Sequence, residues 1–404
     1  MDLAGLLHEH LPRARLRALL DTFSALNIGV IGDFFLDAYY ECDPALDEPS
    51  LETGRTCYQA VRLRRQPGAA GTVAANLAGL GVGRIEAVGF CGDDGEGYEL
   101  RRSMEALGLR LDGFCTCPER FTPTYCKPVY VERRGNGMHV RQELERIDIR
   151  NRRRTPAWLQ QQLISHVQDQ AHGWNGSIVM DQVSEAGCGT VTPRLRDYIC
   201  TDLVAAPGLT VLVDSRERIH RFRRVIIKPN AREAAALRMP RGGALQRSPT
   251  AQRALNSSAG TAGRNAAPAA HGARSQRTHP GLAGPNELAD PMELADPVEL
   301  ALLLTRRSGR PVFLTLGPAG LVAAHQETAV RIPAVPLAPP LDPVGAGDTT
   351  SAAATVALAA GATVVQAGLI AVLAASITVQ QLGTTGTATP AQIMRRHQEV
   401  TRGD

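Results

Sequence analysis

Aromatic side chains are scarce in this chain, at 4% of 404 residues, while alanine and glycine are plentiful. The scarcity disfavours an aromatic-lined binding surface and suits helices packed closely on a parallel sheet. Acid is missing from one long stretch. Between Leu237 and Asn286 there are seven arginines and no Asp or Glu. The net charge of +4 belongs to that segment, and the remainder is slightly acidic, so no nucleic-acid partner is expected. The eight cysteines are scattered, and Cys115 and Cys117 lack a second pair at zinc-ligand spacing. They read as reduced thiols of a cytoplasmic protein. Met1 to Asp21 alternates charged and apolar residues in helical fashion, without the apolar core of a signal peptide.

Charge is also absent from Thr349 to Gln380, a run long enough to span a bilayer. It is rich in Ala, Thr and Ser, carries Gln366 and is broken at Gly361-Ala362-Thr363. Two buried helices are expected there, with no membrane partner.

The length suits one large α/β domain or two ordinary ones. Short apolar runs, such as Ile28–Ile31, Ser177–Met180, Val211–Val213, Val225–Ile227 and Val312–Thr315, alternate with helical patterns such as Trp158 to Gln170. This predicts a doubly wound, mostly parallel sheet flanked by helices, with ligands outside the carboxyl ends of the strands. No Gly-x-Gly-x-x-Gly follows the first run, which excludes a dinucleotide fingerprint. Two β-prone segments, about 39–66 and 121–142, interrupt the alternation and predict a small β-flap over the site, the second with a hairpin turn at Arg134-Gly-Asn-Gly137. The expected organisation is an N-terminal helix over 1–25, one domain from 26–237 and 286–400, and a low-complexity insertion over 238–285 whose composition predicts disorder. A six-residue repeat follows, and Asp296 before Pro297 is placed to cap the helix that runs to Arg307.

Chemistry gathers in a few motifs. In Asp342-Pro-Val-Gly-Ala-Gly-Asp348, small residues precede an acid at a helix start. Backbone amides there can converge on an anion while the carboxylate takes a proton, or Asp348 is a plain N-cap. Gly32-Asp33 ends the first strand, where a carboxylate can accept from vicinal hydroxyls. Further on come Pro67-Gly68-Ala69-Ala70-Gly71-Thr72 with Asn76, Lys228-Pro229-Asn230-Ala231-Arg232-Glu233, and the Gly317-x-x-Gly320 turn. Asp181 and Asp214 end strands at the ligand edge, and Arg216 or Arg218 is placed to reach a substrate phosphate.

These motifs, across the whole chain apart from the insertion, resemble the PfkB, or ribokinase-like, carbohydrate kinase family. In pattern they come closest to the heptose 7-phosphate kinase branch, through Gly-Asp-x-x-Leu-Asp-x-Tyr, Pro-Gly-x-Ala and Leu382-Gly383-Thr384. The resemblance implies a cytoplasmic enzyme on the ribokinase-like fold that transfers the γ-phosphoryl group of ATP, with Mg2+, to a sugar or sugar phosphate. It makes Asp348 the catalytic base and the backbone of Gly345, Ala346 and Gly347 the anion hole. It assigns Asp33, Gly68 and Thr72 to the substrate, and Asn230, Glu233, Gly317 and Gly320 to the nucleotide. Asn230 and Glu233 would also hold the metal through water. Ala69 and Thr72 depart from the usual Gly and Asn, which leaves the acceptor open. Alternatives on the same fold are a nucleoside or fructose phosphate kinase and a non-catalytic sugar-binding regulator, and the flap admits a homodimer.

Overall fold

The computed structural model describes residues 1–134, 137–235 and 296–403. The chain opens with two short helices, α1 (Leu3–His10) and α2 (Arg13–Thr22), where one helix over 1–25 was expected. Pro12 has no N–H with which to continue α1, and Leu11 before it turns to φ −138° and ψ 64°. Leu3, Leu6 and Leu7 recur at helical spacing and are buried.

β1 (Asn27–Gly32) enters the main sheet, and the chain then leaves it through β2 (Phe34–Cys42), β3 (Glu48–Pro49), β4 (Thr56–Cys57) and β5 (Ala60–Ala69). It returns by α3 (Ala70–Gly79), β6 (Arg84–Gly92), α4 (Gly95–Ala106) and β7 (Arg110–Cys117). A second excursion holds β8 (Thr124–Arg134), β9 (Gly137–Glu143) and β10 (Ile147–Ile149). Alternation resumes with α5 (Ala157–Gln170), β11 (Gly176–Asp181), α6 (Pro193–Thr201), β12 (Thr210–Ser215), β13 (Ile226–Ile227) and α7 (Ala231–Ala235). The insertion expected over 238–285 lies outside the described residues, as does most of the repeat after it. Beyond it come α8 (Pro297–Ser308), β14 (Val312–Thr315), β15 (Leu321–His325), β16 (Thr328–Ile332), α9 (Ala346–Ala359), α10 (Val364–Thr378) and α11 (Pro390–Arg402). Asp296 caps α8, accepting from the Val298 amide with Pro297 next in line.

Nine strands form the main sheet in the order β16-β15-β14-β13-β12-β11-β1-β6-β7. Pairing is parallel from β14 to β7, and β15 and β16 add an antiparallel edge. This is the α/β sheet that the short apolar runs predict. Successive residues alternate between its faces: Ile28, Val30 and Ile178 join one core, whereas Ile31, Val179 and Val213 join the other. The uncharged stretch folds as α9 and α10 with a break between them, and Thr363 opens α10 in a capping box with Gln366. No helix among the described residues is long and apolar enough to cross a membrane.

A second sheet, β10-β8-β2-β5 with β9 on β8, stands apart from the main one. The segment 121–142 falls largely within it, whereas 39–66 contributes only its two ends and carries the separate β3–β4 pair between them. The second sheet also reaches closer to the main one than these segments do. β2 and β5 stay paired down to Phe34 and Ala69, so the flap is rooted directly at the end of β1.

Candidate active site

Charged side chains gather where the carboxyl ends of the parallel strands meet the roots of β2 and β5, the candidate cleft. On its floor Lys228, which follows β13, is 5% exposed, and its Nζ lies 3.0 Å from Asp214 Oδ2. Ser351 Oγ donates to the same oxygen at 3.2 Å. Burial opposes the ammonium's charge, but Asp214, Glu233 and Asp348 outweigh it and raise the Lys228 pKa. A Cβ on Gly347 would stand 3.5 Å from this Nζ, which places the cation against the first turn of α9. The motif reading singled out Asn230 and Glu233 and passed over Lys228. Its signal was a lysine directly after an apolar strand at the ligand edge.

Gly345, at φ 84°, is the N-cap of α9, a conformation that glycine adopts freely. Asp348 is therefore not the cap but the third residue of the helix. Asp342 steadies the approach, its carboxylate accepting from Val344 N at 3.0 Å and Gly383 N at 3.1 Å. Of the three residues expected to form the nest, Ala346 has turned its N–H to Pro343 O at 3.2 Å. The N–H groups of Gly347 and Asp348 have no acceptor among the described residues, as the first turn of a helix leaves them. Asp348 has its pKa pushed up to about 7, chiefly by burial, then by the Asp214 carboxylate and more weakly by Asp37. Lys228 and Arg216 act in the opposite sense.

Behind this turn, Thr349 Oγ donates to Asn76 Oδ1 at 2.8 Å and lies 3.2 Å from Thr378 Oγ, which joins α3, α9 and α10. Asn76 thus serves the fold and not the cleft. Thr72 is 2% exposed, and its methyl lies 3.6 Å from the place a Cβ on Gly345 would take. It backs the turn as much as it faces the cleft.

Asp33 departs from expectation. Its carboxylate accepts from the amides of Gln182 at 2.8 Å, Val183 at 2.9 Å and Thr190 at 2.6 Å, and so holds the loop after β11. Burial and then Asp181 push its pKa up to about 6 against those amides. With both oxygens engaged, Asp33 has a structural task. The carboxylate that faces α9 from the flap is Asp37, buried on β2 with Oδ1 2.9 Å from Lys127 Nζ. Gly68 lies opposite, where a Cβ would stand 3.0 Å from Asp37 Oδ2. Asp37 is the fourth residue after Asp33, in a pattern the sequence reading quoted without weighing its second acid.

Asn230 and Glu233 bind each other: Asn230 N donates to Glu233 Oε2 at 2.8 Å, and Glu233 N donates to Asn230 Oδ1 at 2.9 Å. Burial raises the Glu233 pKa and Asp214 adds to the effect, against the Asn230 amide, Lys228 and Arg216. Gly317 and Gly320 shape the turn after β14 with φ of 59° and 92°, and a Cβ on Gly320 would collide with Ile332 O. Arg218 is fully committed, pairing with Asp181 at 2.6 Å and donating to Ser184 O at 2.9 Å and to Val183 O. Arg216 instead lines a cleft beside Tyr125, Arg150 and Gln182. Two further residues tie the flap to the far wall. Arg64 Nη2 donates to Gly383 O at 2.9 Å while its guanidinium lies 3.9 Å over the Tyr39 ring, and Gln66 Nε2 donates to Thr385 Oγ at 3.2 Å.

Residues 287–392 match the pfkB family carbohydrate kinase. The bifunctional protein HldE of Citrifermentans bemidjiense is 26% identical over 386 residues, covering 95% of this chain and 65% of that protein. HldE of Caulobacter sp. (strain K31) is 30% identical over 368 residues, with 90% and 61% covered. The chain therefore spans less than two thirds of the length of these curated relatives. Among solved structures, phosphofructokinase-2 from Escherichia coli in complex with fructose-6-phosphate superposes with a TM-score of 0.58 at 15% identity, over 93% of this chain and 99% of that one. Arabidopsis thaliana ribokinase complexed with ribose and ATP gives 0.54 at 18% identity, over 92% and 98%. Motifs and the matched C-terminal segment agree in their likeness to pfkB family carbohydrate kinases, and the sheet order is that of the ribokinase-like fold.

Proposed function

We propose that this chain transfers the γ-phosphoryl group of ATP to a hydroxyl of a sugar or sugar phosphate, with a heptose phosphate the favoured acceptor. The observation that carries the reading is Asp348, whose pKa is pushed up to about 7 in the open first turn of α9, next to Lys228. A carboxylate so tuned takes a proton near neutral pH.

In the reaction the acceptor oxygen attacks the γ-phosphorus, the bond from that phosphorus to the β,γ-bridging oxygen breaks, and ADP leaves with the electron pair. The hydroxyl proton passes to Asp348. The free amides at the start of α9 and the Lys228 ammonium meet the charge that develops on the transferred group. Asp37 accepts from a neighbouring hydroxyl of the sugar, and Gly68 leaves room for that contact. The Gly317–Gly320 turn borders the nucleotide.

Glu233 keeps one carboxylate oxygen free of Asn230 and feels the Asp214 charge, a setting that a divalent cation relieves. Mg2+ bound there through water by Glu233 and Asn230 would neutralise charge on the phosphates. The flap excludes water from the bound sugar. Exposed Val61 and Leu63 on its edge strand β5 are where a second copy would pair. ATP use fits a cytoplasmic setting. The preference for a heptose phosphate rests on the Gly32-Asp33…Asp37-x-Tyr39 pattern.

ATP consumption against a panel of heptose, fructose and ribose phosphates, free sugars and nucleosides tests the proposal, with Asp348→Asn as control. Acceptor-dependent turnover is expected, cut by ~10²–10⁴-fold in the variant. Turnover with no acceptor, or an unimpaired variant, overturns the kinase reading. Preference for a fructose phosphate or nucleoside reassigns the acceptor alone.

A further inference from the structure

A cavity lies away from the cleft, at the amino ends of the parallel strands. About 250 Å³ in volume, it is framed by the start of β12 (Thr210, Val211), by Arg224 and Ile226 at β13, by Arg310 and Pro311 before β14, by His325 at the end of β15, and by Leu358 near the end of α9. Its ionisable side chains are all basic. Arg224, Arg310 and His325 line it, and no carboxylate does so among the described residues.

One buried residue sets the arrangement. Ser308, 3% exposed at the end of α8, accepts the Arg224 amide on its carbonyl at 2.8 Å, and its hydroxyl donates to Arg310 O at 2.9 Å. Both arginine backbones are thereby fixed at the mouth of one cavity. Arg224 is held at φ 63°, a left-handed conformation unfavourable to any residue but glycine. Neither guanidinium has a hydrogen bond or ion pair among the described residues. An arginine that is strained, anchored and left without a counter-ion beside another arginine and an imidazole makes a cradle for a dianion. The remaining wall, Val204, Leu209, Val211, Ile226 and Leu358, is apolar and has room for more than a bare ion.

We propose that this cavity is a second ligand site, distinct from the catalytic cleft, which binds a small phosphate monoester. Its phosphate is held by Arg224, Arg310 and His325, and its organic part packs on the apolar wall.

The test is calorimetric titration of the full chain with phenyl phosphate and, separately, with inorganic phosphate. Arg224→Gly/Arg310→Ser removes both cations, and glycine relieves the backbone at residue 224, so the variant is expected to keep its melting temperature and its ATP turnover. Phenyl phosphate should bind the wild type more tightly than inorganic phosphate does, and the double variant at least tenfold more weakly. Arg310→Ser alone, which leaves the residue 224 backbone untouched, should weaken it at least threefold and guards against misfolding of the double variant. Binding in the catalytic cleft would be common to all these proteins and cancels in the comparison. Equal affinity of wild type and both variants, or no binding to the wild type, overturns the proposal. Binding that survives with inorganic phosphate but is no stronger with phenyl phosphate removes the organic part of it.

Discussion

Asp348 can accept a proton only after losing its own. With a pKa near 7 the acidic limb of kcat/KM should fall about tenfold per pH unit below neutrality, a profile that steady-state kinetics from pH 5 to 9 will reveal. The same shift bears on stability with a definite sign. The folded pKa lies above the ordinary 3.8, so between about pH 4 and 7 the folded chain holds this proton more firmly than the unfolded chain. Stability contributed by the group is therefore present at low pH and lost as pH rises towards 7. Asp348→Asn should raise the melting temperature at pH 8 relative to wild type and leave it nearly unchanged at pH 4. Ala69 offers a second single-residue test. It caps α3 at φ 53° and ψ −116°, where glycine is at ease, so Ala69→Gly should stabilise the fold by about 1 kcal/mol in denaturant titration. At this scale Asp348 stood out as a candidate because its motif is contiguous. Asp33 and Asp37 were not separable, since only three amides arriving from residues 182 to 190 reveal which acid is engaged.

Strands of the main sheet were legible as elements because burial on both faces demands unbroken apolar runs. The N-terminal helix was read through Pro12 as one piece, although a proline there stops α1. The flap was recognised from its β-prone residues, yet its roots at Phe34 and Ala69 were missed, because cross-strand register is not written in either strand alone. Arg64 and Gln66 join that flap to the loop at 383–385, whose Thr385 in turn touches the Gly345 turn. Arg64→Ala frees the flap on that side. It should raise the KM for the acceptor by about tenfold while the KM for ATP stays within about twofold, as initial-rate kinetics with each substrate varied will show.

Over the whole molecule, the groups proposed for catalysis come from both sides of residues 236–295. Asp37, Asp214, Lys228 and Glu233 precede them and Asp348 follows, while β13 and β14 sit side by side in the sheet. Helices α7 and α8 also touch, so a short link suffices between their ends. Deleting 240–284 should therefore leave turnover within about twofold and the melting temperature within a few degrees, and a larger loss would give that segment a role in the fold. The same layout makes the chain divisible. Two polypeptides cut within 236–295 would each carry an incomplete centre, one with the lysine and the acceptor carboxylate, the other with the base. Fused to a pair of interacting proteins, the halves would form a complementation reporter in which ATP turnover signals that the partners have met.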